Sequence, residues 1–342
     1  MKTAIIFGGS GFIGSHFSQY LLDRNIVDNI LVADIVPLDV ERTTQKYRRY
    51  VQDGKIAFEL CDVRNAIHLS AIDKNVSLVC NFAAVHREPG HLPYEYYETN
   101  LLGAKNVCEW SERHNVKDII FTSSIAPYGP SEEVRTELSL PVPETAYGSS
   151  KLTSEYIHRT WQALDRHNRR LVIVRPGVVF GAGERGNVTR LVQATINRYF
   201  VYMANKETRK AGTYVKELCN AMFWVLEQKV KDEPVLFNMS MNPGPTIQEY
   251  VQVVCEVEGI SRFVPNIPYF VILTLSRIIA AVFGVFGKAT SINPVRMKKL
   301  VRSNNIIPKF LVDEGYEYQY SLKSAMEDWK RDKPSDWLKE EN

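Results

Sequence analysis

Tyr147 and Lys151 stand four positions apart in the run YGSSK. On a helix that spacing puts both side chains on one face, one turn apart. A cation beside a phenol favours the phenolate and draws the tyrosine pKa down from about 10 toward neutral pH. Such a phenolate can take the proton of a carbinol while hydride leaves the same carbon. Ser124, in FTSSIAPYG, sits just past an apolar run that reads as a parallel strand. A hydroxyl at the carboxyl end of such a strand faces the crevice where open α/β sheets bind ligands.

A Tyr and Lys at this spacing are usually a surface pair, so their weight comes from what stands upstream. Gly8, Gly11 and Gly14 follow an apolar run and open an amphipathic one, with Phe12 and Ile13 in the same turn. The first glycine permits a tight turn, the second lets backbone approach a pyrophosphate, and the third lets the helix pack close to the sheet. The helix N-terminus then faces the anion. Asp34 closes the next strand, twenty residues after Gly14. A carboxylate there accepts from both ribose hydroxyls and repels a 2′-phosphate, which argues for NAD over NADP. Asp62 and Val63 follow the third strand, where a side chain and a backbone amide would bracket an adenine. Phe82, Ala83 and Ala84 end the fourth, where small residues let the cofactor pass.

The elements that must hold these residues alternate regularly. TAIIFG, NILVAD, KIAFELCD, SLVCNFAA, KDIIFTSS and RLVIVRP read as buried parallel strands, with amphipathic helical segments between them. This rhythm predicts an α/β fold, a Rossmann-type doubly wound parallel sheet spanning residues 1–178. Residues 179–330 read as a smaller mixed α/β substrate-binding cap interleaved with it, because a strand near 234–240 returns to the sheet. Thr246 and Glu249 form a capping box, and Gly259 stops that helix. The chain has 342 residues, net charge +3 and five scattered cysteines. These numbers suit one large core in a reducing compartment and suggest neither nucleic-acid binding nor a metal site. MKTAIIFGG is not a signal peptide, so a cytoplasmic location is expected.

With these motifs in place, the chain resembles the extended short-chain dehydrogenase/reductases, in particular their NAD-dependent sugar epimerase/dehydratase branch. The matching residues are Gly8, Gly11, Gly14, Asp34, Asp62, Asn81 to Ala84, Asn100, Ser124, Tyr147, Lys151 and the pair Arg175-Pro176. The resemblance implies that Tyr147 is the base, that Lys151 holds the nicotinamide ribose, and that Ser124 bonds the reacting oxygen. It adds Asn100 and Pro176 to the cofactor site. The family's dehydratases carry acidic residues directly after the Ser124 position; Ile125 and Ala126 stand there instead. Plain hydride chemistry remains: a 4-epimerase, if the ketone turns over before hydride returns, or a dehydrogenase. The resemblance also implies a homodimer through the helices carrying YEYYETNLLGAKNV and YGSSKLTSEYIHRT.

At the sugar end the resemblance places His86 and Ile125 over the substrate. It sets Asn187 and Val188 at a helix start where sugar epimerases bind a diphosphate. Gly212-Thr213-Tyr214 stands where that family carries an Arg-Asp-aromatic clamp, so Arg209 and Lys210 are the nearest substitutes; Val178 replaces a common Asn. These departures are similar to a narrower group, the bacterial epimerases that invert N-acetylglucosamine on undecaprenyl diphosphate. The stretch from Ile267 to Phe286 is long enough to span a bilayer, but Arg277 at its centre and Pro268 at its start oppose spanning. Either it is cap core, or it lies on an anionic membrane together with Lys288, Arg296, Lys298, Lys299 and Arg302. The expectation is an NAD-retaining 4-epimerase of a diphosphate-linked hexose or N-acetylhexosamine. A UDP-sugar 4-epimerase and a sugar or steroid dehydrogenase are the alternatives.

Overall fold

A computed structural model describes residues 1–70, 75–88, 90–271, 274 and 303–338. The chain runs β1 (Thr3–Phe7), α1 (Phe12–Asp23), β2 (Asn29–Asp34), α2 (Gln45–Gln52), β3 (Ile56–Leu60), β4 (Val76–Asn81), α3 (Pro93–Arg113), β5 (Asp118–Thr122), α4 (Ala146–Ala163) and β6 (Arg170–Pro176). It continues as β7 (Val178–Phe180), α5 (Asn187–Ile196), β8 (Tyr202–Met203), β9 (Gly212–Tyr214), α6 (Val215–Gln228), β10 (Val235–Met239), α7 (Ile247–Glu258) and β11 (Asn266–Ile267). Two further helices span Lys309–Asp313 and Leu322–Asp332.

Seven strands form one parallel sheet in the order β10-β6-β5-β4-β1-β2-β3. Successive residues of a strand point to opposite faces, and each face is covered. Ala4 and Ile6 of β1 enter a core with Phe17 and Leu21 of α1 and Leu218 and Met222 of α6. Ile5 and Phe7 enter another with Val107 and Trp110 of α3 and Trp161 of α4. The order reverses between β1 and β4, so the loops after these two strands part and leave a crevice at their carboxyl ends.

The remaining elements build on the β6 side. β7 pairs with β9, and Phe180, Val192, Tyr214, Tyr250, Met326 and Trp329 pack as a third core. Thr246 and Glu249 exchange backbone and side-chain bonds at the start of α7, and Gly259 ends it at φ +65°. All five cysteines are free thiols. Of the apolar and basic stretch 267–302, only Ile267 to Val271 and Thr274 fall within the described residues. Among the described residues no helix is long and apolar enough to cross a membrane.

Candidate active site

The glycine turn shows why its residue types are required. Gly8 has φ +75°, and a Cβ there would sit 2.4 Å from the Ala83 amide nitrogen. The turn after β1 and the end of β4 therefore touch backbone to backbone, which only glycine permits. Gly14 likewise packs against Gly9, 2.5 Å from where a Cβ would project. Asp34 accepts from the amides of Ser10 (3.0 Å) and Val36 (3.1 Å). Burial raises the pKa of its carboxyl group, while these bonds oppose the shift. Ser10 Oγ is buried in the turn and meets no partner among the described residues. The cradle, the orphaned hydroxyl and the carboxylate at the end of β2 fit a dinucleotide. Ser10 is absent from the sequence-derived site because glycine spacing says nothing about the residues between.

Asp62 is gripped by Arg64 at 2.7 Å, which holds its carboxyl below the usual range. The Val63 side chain is buried in the core, and its carbonyl accepts from Asn106 at 2.8 Å. Asn100 is buried too, and its carboxamide is spent on the Val85 backbone and on Ser150 Oγ (2.8 Å). Its place in the fold is therefore to tie the loop after β4 to α4. The Pro176 carbonyl accepts from the Ile125 amide at 3.3 Å, joining the loop after β5 to the end of β6.

Helix α4 starts at the Thr145 cap, whose hydroxyl accepts from the Gly148 amide at 3.1 Å. Its inner face is polar: Ser150, Lys151, Ser154, Glu155 and His158 are all buried. The Ser124 hydroxyl stands beside Tyr147 and opposes the rise in its pKa. Lys151 is 2% exposed, with its ammonium 4.4 Å from the Phe121 ring centroid and no hydrogen-bond partner among the described residues. A buried cation facing the crevice without a partner fits ribose hydroxyls. Beneath it, Arg175 donates to Glu155 at 2.8 and 2.6 Å, and Ser123 donates to the same carboxylate at 2.5 Å.

The expected pKa direction is overturned. Burial raises Tyr147 above its ordinary value; Ser124 works against this, and the nearby Glu88 and Tyr96 reinforce it. Burial lowers Lys151 to about 7, with Glu155 opposing. Spacing on a helix places the two one turn apart but does not reveal how little water reaches Lys151. Glu88 is a carboxylate near Tyr147 that the sequence reading did not single out, since nothing in its spacing marks it. His86 lies exposed on the loop after β4, and partial desolvation of its ring lowers its pKa.

At the sugar end Asn187 is the first residue of α5, and its side-chain oxygen is held by Arg190 at 3.0 Å. At the helix start the buried Glu184 carboxylate accepts from the Thr189 amide at 2.9 Å and from its hydroxyl. One of the first amides of α5 is thus satisfied from within the chain. The Val188 side chain enters the core around Phe180 and Tyr214. Arg209 donates to the Gly244 carbonyl at 2.5 Å, and burial lowers Lys210. Ile125 packs with Tyr128, Ala211 and Ile306.

Comparison with known proteins agrees with this geometry. The profile of the NAD dependent epimerase/dehydratase family matches residues 4–240. An Escherichia coli O157:H7 protein, N-acetyl-alpha-D-glucosaminyl-diphospho-ditrans,octacis-undecaprenol 4-epimerase, is 27% identical over 95% of this chain and 93% of its own. A Candida albicans sterol-4-alpha-carboxylate 3-dehydrogenase (decarboxylating) is also 27% identical, over 96% of this chain and 97% of its own. The crystal structure of a Bacillus cereus UDP-glucuronic acid 4-epimerase with NAD superposes with a TM-score of 0.74 at 18% identity, covering 99% of this chain and 100% of that one.

Proposed function

The chain belongs to the NAD dependent epimerase/dehydratase family, and on that premise we propose that it inverts C4 of a diphosphate-linked hexose or N-acetylhexosamine through a transient 4-keto sugar. Gly8, Ser10, Gly11, Gly14, Asp34 and Lys151 are the residues that would hold NAD. When bound, NAD supplies the acceptor and donor for the C4 hydrogen. Tyr147 takes the O4 proton and later returns it, and Ser124 orients that oxygen. The observation that carries the reading is the acid–base inventory: Ser124 stands beside Tyr147, while Ile125 and Ala126 offer no acid for dehydration.

The carrier is undecaprenyl diphosphate in this reading, in the assembly of a surface polysaccharide. The likeness to the Escherichia coli relative supports it. The protein would then work at the cytoplasmic face of a membrane, touching anionic lipid through 267–302. Two copies would meet through α3 and α4, where Tyr97, Leu102 and Tyr156 stand exposed. The Candida albicans relative favours a second reading, net oxidation of a hydroxyl on an apolar substrate. One incubation separates them: enzyme without added NADH, given UDP-N-acetylglucosamine or its undecaprenyl-diphosphate counterpart, with products resolved. Epimer from the lipid-linked form is expected; epimer from neither overturns the proposal. Tyr147→Phe should abolish turnover while NAD content stays at the wild-type level, and unchanged turnover would remove Tyr147 from the mechanism.

A further inference from the structure

We infer that Glu88 selects the sugar, its carboxylate accepting from a hydroxyl that flanks C4 and turning away a hexuronate; the inference deepens the 4-epimerase reading and rests on it. The loop after β4 carries His86, Arg87 and Glu88, all exposed. Tyr96 of α3 ties this loop to the reaction centre. It is 3% exposed, and its hydroxyl donates to the Arg87 carbonyl at 2.5 Å. Its ring centroid lies 6.1 Å from that of Tyr147, and His91 packs edge-on against it at 5.8 Å. The carbonyl that Tyr96 grips belongs to the peptide joining Arg87 to Glu88, so the brace seats Glu88 beside the catalytic phenol. The charge of Glu88 is felt at both Tyr147 and Tyr96. That of Arg87 acts at His86 and at Arg42, in the loop after β2. Neither side chain makes a hydrogen bond or an ion pair among the described residues.

On its own, an unpaired carboxylate in this place works against the chemistry. It opposes the anionic form of Tyr147, the form that takes up a proton. A hydroxyl donating to Glu88 would spread that charge and offset the penalty. An ionised carboxylate can only accept, through two oxygens with about four lone-pair directions. It therefore suits a ligand that brings hydroxyl donors. With O4 of a hexose at Tyr147, the hydroxyls on either side of C4 are those at C3 and C6. A charge-assisted bond from one of them is stronger than a neutral one and fixes the ring at the site of hydride loss. The same charge excludes a sugar whose C6 is itself a carboxylate, because two like charges would meet in one crevice. A site built to bond a hydroxyl in this way discriminates more sharply than an apolar pocket does.

The test is kcat/KM of the full-length, NAD-loaded protein for N-acetylglucosamine and for N-acetylglucosaminuronate, each offered on UDP and on undecaprenyl diphosphate. Wild type should prefer the neutral sugar by about a hundredfold. Glu88→Gln keeps the shape and drops the charge, so it should lose about tenfold on the neutral sugar and narrow the preference by at least about tenfold. NAD content and melting temperature should stay at wild-type values, because Glu88 is exposed. An unchanged preference in that variant, or a wild type that takes the uronate equally well, overturns the inference. Should Glu88→Gln lose NAD, Glu88→Asp reports instead: it retains the charge and should still exclude the uronate, and loss of that exclusion overturns the inference. Saturation-transfer NMR on the same holoenzyme reads binding apart from turnover. Sugar bound with the Glu88-dependent preference but not epimerised sinks the 4-epimerase reading and keeps the role of Glu88; epimer formed without the preference does the reverse.

Discussion

Replacing Glu155 with Gln keeps the shape of the side chain and removes its charge. Both members of the Glu155–Arg175 pair are at most 4% exposed, so water cannot take over for the missing partner. Burial opposes the charge on Arg175, and the bonds and charge from Glu155 more than offset it. Removing one partner of such a pair costs about 3–5 kcal/mol, because the other is left charged and dry. At roughly 2 °C per kcal/mol for a chain of this length, the melting temperature of Glu155→Gln should drop by about 6–10 °C. Glu155→Gln/Arg175→Met removes both charges and should recover most of that loss. The single variant has a second signature. Glu155 is the charge that holds up Lys151, already lowered to about 7 by burial. Without it less Lys151 is protonated at neutral pH, so turnover should fall and partly recover as the pH is lowered. Differential scanning calorimetry and a pH–rate profile read the two effects. A melting temperature within a degree or so of wild type, or a double variant no better than the single, would refute the reasoning.

Gly8→Ala sets a Cβ against the Ala83 backbone in a positive-φ turn, so purified protein should lose most of its NAD, about a hundredfold in affinity; full NAD content would contradict the turn's role. His16 and His158 are buried and held down to about 4. Desolvation is the leading cause in both. Their unfolded pKa is about 6.5, so between these values the unfolded chain binds more protons. Stability is then full above about pH 6.5 and falls toward pH 4, by on the order of 3 kcal/mol per histidine. Urea midpoints across that range should show the fall, and His158→Gln should flatten it; an identical slope would exclude His158. Glu184→Ala uncovers the start of α5 and should cost about 1 kcal/mol. Added pyrophosphate should then raise the melting temperature of the variant but not of wild type, and an equal rise in both would show that the carboxylate does not fill an anion seat.

The sheet was legible because a buried parallel strand must be almost wholly apolar, and five of the six runs in the first half are; the third, β3, lies at the sheet edge with only Ile56 buried. The glycine turn and the Tyr147–Lys151 spacing were legible because backbone approach and one helical turn are local constraints. Partnerships across the fold were not. Nothing near Glu155 points to Arg175, twenty residues on and on a strand. Glu184 lies only five residues before Thr189, yet nothing in the type or spacing of these residues shows that its carboxylate accepts from the Thr189 amide. The stretch 267–302 divides the same way: its composition is plain in the sequence, but its placement lies mostly outside the described residues.

The reversal at Tyr147 has the same origin and changes the chemistry. Helical spacing counts the attraction between a cation and a phenolate, but both charges must first be taken out of water. Burial raises Tyr147 and lowers Lys151 to about 7, so both are driven toward their neutral forms. A permanently ionised phenolate would accept a proton readily and return it reluctantly. An epimerase has to do both on the same oxygen. A phenol held near its neutral form beside Ser124, one helical turn from an ammonium that is itself close to titrating, passes the proton in either direction at small cost. Restoring a strongly charged lysine should therefore slow one half-reaction while leaving the other intact. A variant of Phe121 that admits water beside Lys151, such as Phe121→Asn, provides the test. It should raise the Lys151 pKa and slow turnover from both epimers by the same factor, since each direction includes one return of the proton, with a loss that grows as the pH is lowered toward 7. Unchanged forward and reverse profiles would show that the burial of Lys151 serves packing alone.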